Sequence, residues 1–222
     1  MPGGERERTL RVSEIYATIL GESTHAGWPG VIVRLAGCPL RCVWCDTPYA
    51  REGGEELTLT QIQTRIDKFR LPLIELTGGE PLYQPNTRVL VSQLLDRGLR
   101  VVIETGGSVS ILGVDPRASI VLDVKCPGSG VGNRQIWDNL HHLRPGDEVK
   151  FVLASRADYE WARGVLARTG VAQRHAVHFS PVEGPSGMEK KELAEWIVAD
   201  RLPVRLNLQL HVWIWGPGVR GV

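Results

Sequence analysis

The chain has 222 residues, of which 42% are hydrophobic, and its 26 basic and 25 acidic residues give a formal charge of +1. This length allows one sizeable hydrophobic core, so a single domain is predicted over residues 1–222. Charges of both signs are spread along the chain, which excludes a strongly basic nucleic-acid-binding protein and favours a small-molecule partner.

The N-terminal stretch MPGGERERTLRVSEIY is charged and lacks the apolar segment of a signal peptide. No apolar run in the sequence is long enough to cross a bilayer. These features predict a cytoplasmic protein with neither a membrane nor a nucleic acid as its partner.

Seven short segments rich in branched aliphatic residues predict β-strands that are mostly buried on both faces. They are 31–37, 73–77, 100–105, 119–124, 148–154, 176–180 and 204–210. Helical patterns lie between several of them, at 58–69, 86–98, 158–170 and 188–200. The first helical pattern starts with a capping box formed by Thr58 and Gln61.

Alternation of strands and helices along the chain requires crossover connections and therefore a parallel sheet. A complete eight-fold barrel usually needs about 250 residues. We therefore expect an α/β fold in the form of a partial (open) β/α barrel, with about six or seven mainly parallel strands.

Polar or glycine-rich loops follow nearly every predicted strand. After the cysteine-rich loop GCPLRCVWCDTPY they are TGGEP (77–81), ETGG (104–107), DVKCPGSG (123–130), FSPVEG (179–184) and QLH (209–211). A glycine-rich turn would explain any one of them, but not all six. Because the carboxyl ends of parallel strands open on one face of the fold, these loops predict a ligand site there.

Three of the four cysteines follow the pattern CxxxCxxC, as Cys38, Cys42 and Cys45. In a reducing compartment clustered thiols bind metals or carry out redox chemistry more often than they form disulfides. Three thiolates can hold three irons of a cubane cluster and leave the fourth iron open. The alternative is zinc, but a closed zinc site takes four ligands. The other candidates, Cys126 and His25, lie in other segments, and Cys126 is predicted to be a small buried residue.

With Trp44 before its last cysteine, the CxxxCxxC loop resembles the radical S-adenosylmethionine (SAM) superfamily, and TGGEP resembles that superfamily's glycine-rich segment. The resemblance implies a 4Fe–4S cluster whose free iron is chelated by SAM. Gly78 and Gly79 would let the backbone approach a ligand closely, and Glu80 would supply an anion for an ammonium group.

Six segments together resemble the 7-carboxy-7-deazaguanine synthase family from end to end. They are EIYATILGES, VIVRLAGCPLRCVWCDT, TGGEP, DVKCPGSG, FSPVEG and LQLHVWIWGPGVRGV. The resemblance implies a lyase of deazapurine and queuosine biosynthesis that converts 6-carboxy-5,6,7,8-tetrahydropterin to 7-carboxy-7-deazaguanine with loss of ammonia. It also implies Mg²⁺ beside the cluster and SAM, a homodimer, and a flavodoxin- or ferredoxin-type reductant.

Carried over by motif, the family's cluster ligands are Cys38, Cys42 and Cys45, and its magnesium ligand is Thr47. A turn hydroxyl that caps a neighbouring amide is the alternative for Thr47. The SAM contacts implied by the resemblance are Trp44, Cys45, Asp46, Thr47, Gly79, Glu80, Asp123, Val124, Lys125, Phe179, Ser180, Pro181 and Val182.

The substrate contacts implied in the same way are Ile19, Leu20, Gly21, Glu22, Arg34, Thr77 and His211. Arg34 lies on an otherwise apolar strand, where a guanidinium is costly unless an anion meets it. That anion is either the substrate carboxylate or an internal partner, Glu22 or Glu75. His211, Trp213 and Trp215 alternate along a predicted extended segment, so they should share a face that lines the pocket, the core or a dimer interface.

Two positions depart from the family pattern: Leu20 replaces the glutamine of LQGEG, and Val212 replaces the lysine of QLHK. A glycyl-radical activating enzyme shares the cysteine spacing but does not explain the GES segment or the C-terminal histidine and tryptophans. A non-catalytic iron–sulfur protein or zinc scaffold has no need for the row of ligand-like loops.

Overall fold

A mixed nine-stranded β-sheet forms the centre of the computed structural model, which describes residues 7–184 and 187–222. In chain order the strands are β1 (Thr9–Ile19), β2 (Pro29–Leu35), β3 (Glu55–Thr58), β4 (Leu73–Gly78), β5 (Arg100–Thr105), β6 (Ser119–Asp123), β7 (Glu148–Leu153), β8 (Ala176–Pro181) and β9 (Arg205–Leu206). The helices are α1 (Leu59–Asp67), α2 (Thr87–Asp96), α3 (Arg156–Thr169), α4 (Lys190–Ala199) and α5 (Leu210–Trp215).

The strands are arranged in the order β3-β1-β2-β4-β5-β6-β7-β8-β9. Seven of them, β2 and β4 to β9, run parallel to one another, which confirms the predicted open, mainly parallel sheet. Strands β1 and β3 were not predicted, and they extend one edge in the antiparallel sense. The first four helices lie where the sequence predicts them, and α1 begins with the expected Thr58–Gln61 capping box.

The predicted strand at 204–210 is wrong for most of its length. Only Arg205 and Leu206 pair with β8, at the free edge of the sheet, and the chain then turns into α5. His211 and Trp215 are therefore one helical turn apart on the same side of α5, and Trp213 is 68% exposed. The three side chains do not share one face as an extended segment would require.

The two faces of the sheet carry different kinds of core. One packs against the helices through a large apolar cluster that includes Ile74 and Leu76 of β4. Alternation along β4 places Leu73, Glu75 and Thr77 on the opposite, inner face. Leu73 there joins a small apolar cluster completed by Leu20, Ile32, Val102 and Val121. The inner face thus has an apolar base with charged side chains nearer the strand ends.

The turn between β1 and β2 reaches across to the other end of the sheet. The backbone amide of Ser23 donates to Oδ1 of Asn207 over 3.0 Å, and that of Thr24 donates to Glu148 over 3.0 Å. The carbonyl of Gly21 accepts from the amide of Leu210 over 3.0 Å. These bonds join the two ends of the sheet without a continuous strand ladder. Within the described residues, every helix is too short or too polar to traverse a bilayer.

Candidate active site

A cavity of about 740 Å³ opens at the carboxyl ends of the parallel strands, where the sequence predicts ligand binding. Most of the predicted site residues line it. From the substrate set these are Ile19, Leu20, Gly21, Glu22, Arg34, Thr77 and His211, and from the cluster and SAM sets they are Cys38, Cys42, Trp44, Cys45, Asp46, Thr47, Gly79, Asp123, Lys125, Ser180, Pro181 and Val182. Loops that are far apart in sequence are thus brought to a single site.

Three predicted SAM contacts are not on the cavity wall. Val124 and Phe179 are fully buried and belong to the core on the helix-covered face. Glu80 is also fully buried, and its carboxylate accepts from the Thr105 hydroxyl at 2.8 Å and from the Gly106 amide at 2.8 Å. The side chain of Glu80 therefore ties its loop to the loop after β5 and does not offer a free anion to the cavity.

The glycines of TGGEP allow that loop to pack against the cysteine loop. A Cβ on Gly79 would lie 2.2 Å from the carbonyl oxygen of Gly37, and Gly78 has a φ of +118°. The amide of Glu80 donates to the same Gly37 carbonyl over 2.9 Å. Any larger side chain at Gly79 would push the two loops apart.

The three clustered cysteines are half-buried, unpaired thiols on the cavity wall. Their loop is fixed by Arg51, which donates to the carbonyl of Cys42 over 2.9 Å. Burial raises the pKa of the Cys38 and Cys42 thiols, so metal binding must displace their protons. Cys126 is buried in the core, as predicted, and does not reach the cavity.

This donor set suits an iron–sulfur cluster. In a cubane each thiolate binds a different iron, so the thiols line a common wall without converging on one point. Among residues 7–184 and 187–222, no group of three or more Cys, His, Asp or Glu side chains could hold a single metal ion. Three free thiols on one loop beside a cavity fit the cluster.

Thr47 precedes the short 3₁₀ turn Pro48–Ala50, and its side chain makes no capping hydrogen bond there. The alternative role as a capping hydroxyl is therefore wrong. The hydroxyl-bearing side chain lies on the cavity wall, as a magnesium ligand requires.

Arg34 has an internal partner, but not one of the two considered from sequence. Its Nε donates to Oε1 of Glu14 over 2.6 Å, and its Nη2 donates to Tyr16 over 2.9 Å. Glu14 faces Arg34 in the antiparallel register of β1 and β2, so the alternative of an internal pair with Glu22 or Glu75 is wrong. Burial opposes ionisation of Glu14, but hydrogen bonds from Arg34 and Tyr49 outweigh it and lower the pKa of Glu14.

Sequence reasoning missed a charged layer at the base of the cavity. Lys150 Nζ lies 3.1 Å from Glu104 and 3.4 Å from Glu22, and Thr77 donates to Glu104 over 3.2 Å. Glu75 lines the same cavity. Burial raises the pKa of Glu22 to about 7; Glu104 adds to the rise and Lys150 opposes it. Each of Glu75, Glu104 and Lys150 is a charged residue within a mainly apolar strand, and the same feature had identified Arg34 as a candidate.

Gly21 and His211 meet where the β1–β2 turn contacts α5. A Cβ on Gly21 would lie 2.2 Å from Nδ1 of His211, so only glycine permits this approach. Burial lowers the pKa of His211, which favours a neutral imidazole at the cavity wall. Leu20, which replaces the family's glutamine, is almost completely buried in the inner apolar cluster.

An open β/α sheet with a CxxxCxxC loop beside a strand-end cavity defines the class of radical SAM proteins, and residues 32–115 match the Radical SAM superfamily. The chain is 46% identical to the 7-carboxy-7-deazaguanine synthase of Chlorobaculum tepidum, covering 97% of this chain and 99% of that protein. It is 38% identical to the synthase of Koribacter versatilis, covering 96% and 100%. The chain therefore belongs to the 7-carboxy-7-deazaguanine synthase family.

A solved structure supports the same fold. The crystal structure of QueE from Escherichia coli superimposes with a TM-score of 0.75, covering 91% of this chain and 95% of that one at 21% sequence identity. The open arrangement of strands and helices is thus shared despite the low identity.

Proposed function

We propose that this chain is a radical SAM lyase that converts 6-carboxy-5,6,7,8-tetrahydropterin to 7-carboxy-7-deazaguanine with loss of ammonia. The observation that carries the proposal is the single cavity that gathers the three cysteines, Arg34 and the loops after β4, β6 and β8. Near full-length similarity to 7-carboxy-7-deazaguanine synthases supports it.

In this reaction the protein binds the cofactors and the substrate, orients them and shields them from water. Cys38, Cys42 and Cys45 would hold the 4Fe–4S cluster, and Thr47 would contribute an oxygen to Mg²⁺. When bound and reduced by an external electron donor, the cluster together with SAM would supply the radical chemistry. Arg34 holds the substrate carboxylate.

SAM is assigned to the wall formed by the loops after β2, β4, β6 and β8. Lys125 and Asp123 form an ion pair with a 2.6 Å separation there, and both line the cavity. Oδ1 of Asp123 is buried without a hydrogen-bond partner among the described residues. A ligand ammonium or hydroxyl would satisfy that oxygen, since buried polar atoms are nearly always hydrogen-bonded. The proposed roles of Val124, Phe179 and Glu80 are limited to supporting this wall.

A glycyl-radical activating enzyme is the closest alternative, because it uses the same cysteine spacing on a protein substrate. The cavity volume of about 740 Å³ is in the range of small-molecule sites, about 300–1,000 Å³. The β1–β2 turn and α5 also contribute to its wall. Both features favour a small substrate.

The deciding experiment is anaerobic incubation of reconstituted protein with 6-carboxytetrahydropterin, SAM, Mg²⁺ and a reductant. We expect mass analysis to show a product that has lost ammonia, formed over many turnovers. Cleavage of SAM without consumption of the pterin would overturn the assignment.

Several further assignments belong to the same proposal. One nine-stranded sheet supports a single radical SAM domain over 1–222. Three free thiols at an open cavity suit the reducing cytoplasm, where a flavodoxin or ferredoxin supplies electrons. A homodimer is proposed from the family resemblance, and light scattering of the reconstituted protein tests it.

Neither a nucleic acid nor a membrane is a proposed partner.

A further inference from the structure

Glu75 is a buried carboxylate without a protein partner. It is 9% exposed, lines the cavity, and makes no hydrogen bond or ion pair within the described ranges 7–184 and 187–222. The neighbouring carboxylates are satisfied: Glu104 accepts from Thr77 and Lys150, and Glu22 accepts from Lys150 and Asn207. A hydrogen-bond donor would stabilise this carboxyl group, and no described residue supplies one; Glu75 borders the cavity instead.

The sheet register explains why the protein does not supply that donor. Glu75 is opposite Ile32 on β2 and opposite Val102 on β5, and neither side chain can donate. Arg34, on the adjacent strand, is held by Glu14 and Tyr16. A donor to Glu75 therefore comes from the cavity, either from water or from a bound molecule.

We propose that Glu75 recognises the aminopyrimidinone edge of the substrate by accepting hydrogen bonds from its 2-amino group and the adjacent ring N–H. The inference rests on the proposed function, which supplies the pterin. Two parallel N–H donors match the two oxygens of a carboxylate, as in a bidentate guanidinium pair.

The positions of Glu75 and Arg34 complement the two ends of such a molecule. Arg34 is level with Thr77, two residues nearer the strand ends than Glu75 and one strand away. The substrate carries a carboxylate at one end and a donor-rich amidine edge at the other. A cation near the mouth and an acceptor near the base thus fix the direction in which the ring enters.

In the free site the electrostatics favour the protonated form of Glu75, which the donors of a ligand would have to reverse. Burial raises the pKa of Glu75 well above its usual range, the carboxylates of Glu104 and Glu22 raise it further, and Lys150 and Arg34 act in the opposite direction. Ligand N–H donors would favour the ionised form, because hydrogen bonds to a carboxylate stabilise its charge.

The test compares two unreactive ligands, 6-carboxypterin and 6-carboxylumazine, which differ in having an amino group or a carbonyl at position 2. Their dissociation constants are measured by fluorescence titration of reconstituted protein. We expect the wild type to bind the pterin at least about tenfold more tightly, since a carbonyl would face the carboxylate. Glu75→Gln should reduce this preference about tenfold or more, because its amide NH₂ can donate to the carbonyl.

Glu148→Gln is the matched control. Glu148 is also a buried acid on the inner face, but it is bonded to Thr24 and His178 and does not line the cavity. We expect this variant to lower the melting temperature and leave the ligand preference at the wild-type value. An unchanged preference in folded Glu75→Gln would overturn the inference.

If Glu75→Gln does not fold, the binding of the two analogues to the wild-type protein still tests the proposal. Conversion of carboxytetrahydropterin with equal binding of the two analogues would overturn the role of Glu75 and leave the proposed function intact. Failure to convert or bind any pterin would overturn the proposed function itself.

Discussion

Arg34 on β2 faces Glu14 on β1, and its Nε donates to the Glu14 carboxylate over 2.6 Å. Its Nη2 is held by Tyr16, whereas Nη1 has no hydrogen-bond partner within the described part of the chain. The guanidinium is therefore oriented by the antiparallel edge strand while it lines the cavity. A cation held in this way can bind an incoming carboxylate with little further ordering.

Arg34→Lys should weaken substrate use more than it weakens the fold. Lysine keeps the charge but loses the planar fork, and a lost charged hydrogen bond of about 1.5–3 kcal/mol lowers kcat/KM roughly ten- to a hundredfold. Binding of SAM and the cluster should remain normal. Glu14→Gln, which retains an acceptor for Arg34, should show a smaller loss. Native substrate affinity with a lowered melting temperature in Arg34→Lys would rule out the carboxylate contact.

Cysteine variants should separate the cluster ligands from the core thiol. We expect reconstituted protein to hold about four irons per chain, and Cys38→Ala, Cys42→Ala and Cys45→Ala each to lose the cluster. Cys126→Ala is the control and should retain the iron, because Cys126 is buried away from the cavity. Iron content and visible absorbance report the outcome. Full iron content in Cys42→Ala would refute the ligand assignment.

Thr47→Val removes one hydroxyl at nearly constant volume. Because that hydroxyl caps no backbone amide, stability should change little. The magnesium concentration needed for half-maximal turnover should rise, since Mg²⁺ would lose a protein oxygen. A magnesium titration at fixed substrate measures this change. An unaltered titration curve would remove Thr47 from the magnesium site.

Lys150→Met should strongly destabilise the protein. The ammonium lies between Glu104 and Glu22, and its loss leaves buried carboxylates without a counter-charge, at a cost of about 3–5 kcal/mol. Glu104→Gln in the same chain should recover part of that loss. Urea unfolding of the two single variants and the double variant gives the coupling. Purely additive effects would contradict a direct interaction.

Glu22 should make stability depend on pH. Folding raises its pKa from 4.5 to about 7, mainly through burial, so the native state binds more protons than the unfolded state between these values. The Glu22 contribution to stability is therefore present below about pH 4.5 and is lost as the pH rises to about 7. Relative to Glu22→Gln, the wild-type free energy of unfolding should fall across that range. Parallel curves for the two proteins would contradict the raised pKa.

The parts of the structure that local patterns determine were predictable. Buried apolar runs located the parallel strands, the Thr58–Gln61 pair located the start of α1, and the cysteine spacing located the metal-binding loop. The segment around His211 was not predictable in this way. Its alternating residues suit a strand, but pairing with β8 ends at Leu206, opposite Phe179, and the chain then forms α5.

The sequence also did not predict which charged residues face one another on neighbouring strands. A charge in an apolar strand identified Arg34 correctly as unusual, but only the β1–β2 register shows that Glu14 faces it. The same signal at Glu75, Glu104 and Lys150 was present in the sequence. Which of these charges meet depends on the order and stagger of strands, and no local pattern encodes that order.

The turn between β1 and β2 also has a consequence for the order of folding. Its hydrogen bonds from Thr24 to Glu148 and from Ser23 to Asn207 span 124 and 184 residues of sequence. During synthesis the early hairpin must therefore wait for nearly the whole chain before its tip finds these partners. We therefore expect this turn, whose residues Gly21 and Glu22 line the cavity, to reach its final position only after the segment up to Asn207 has been synthesised.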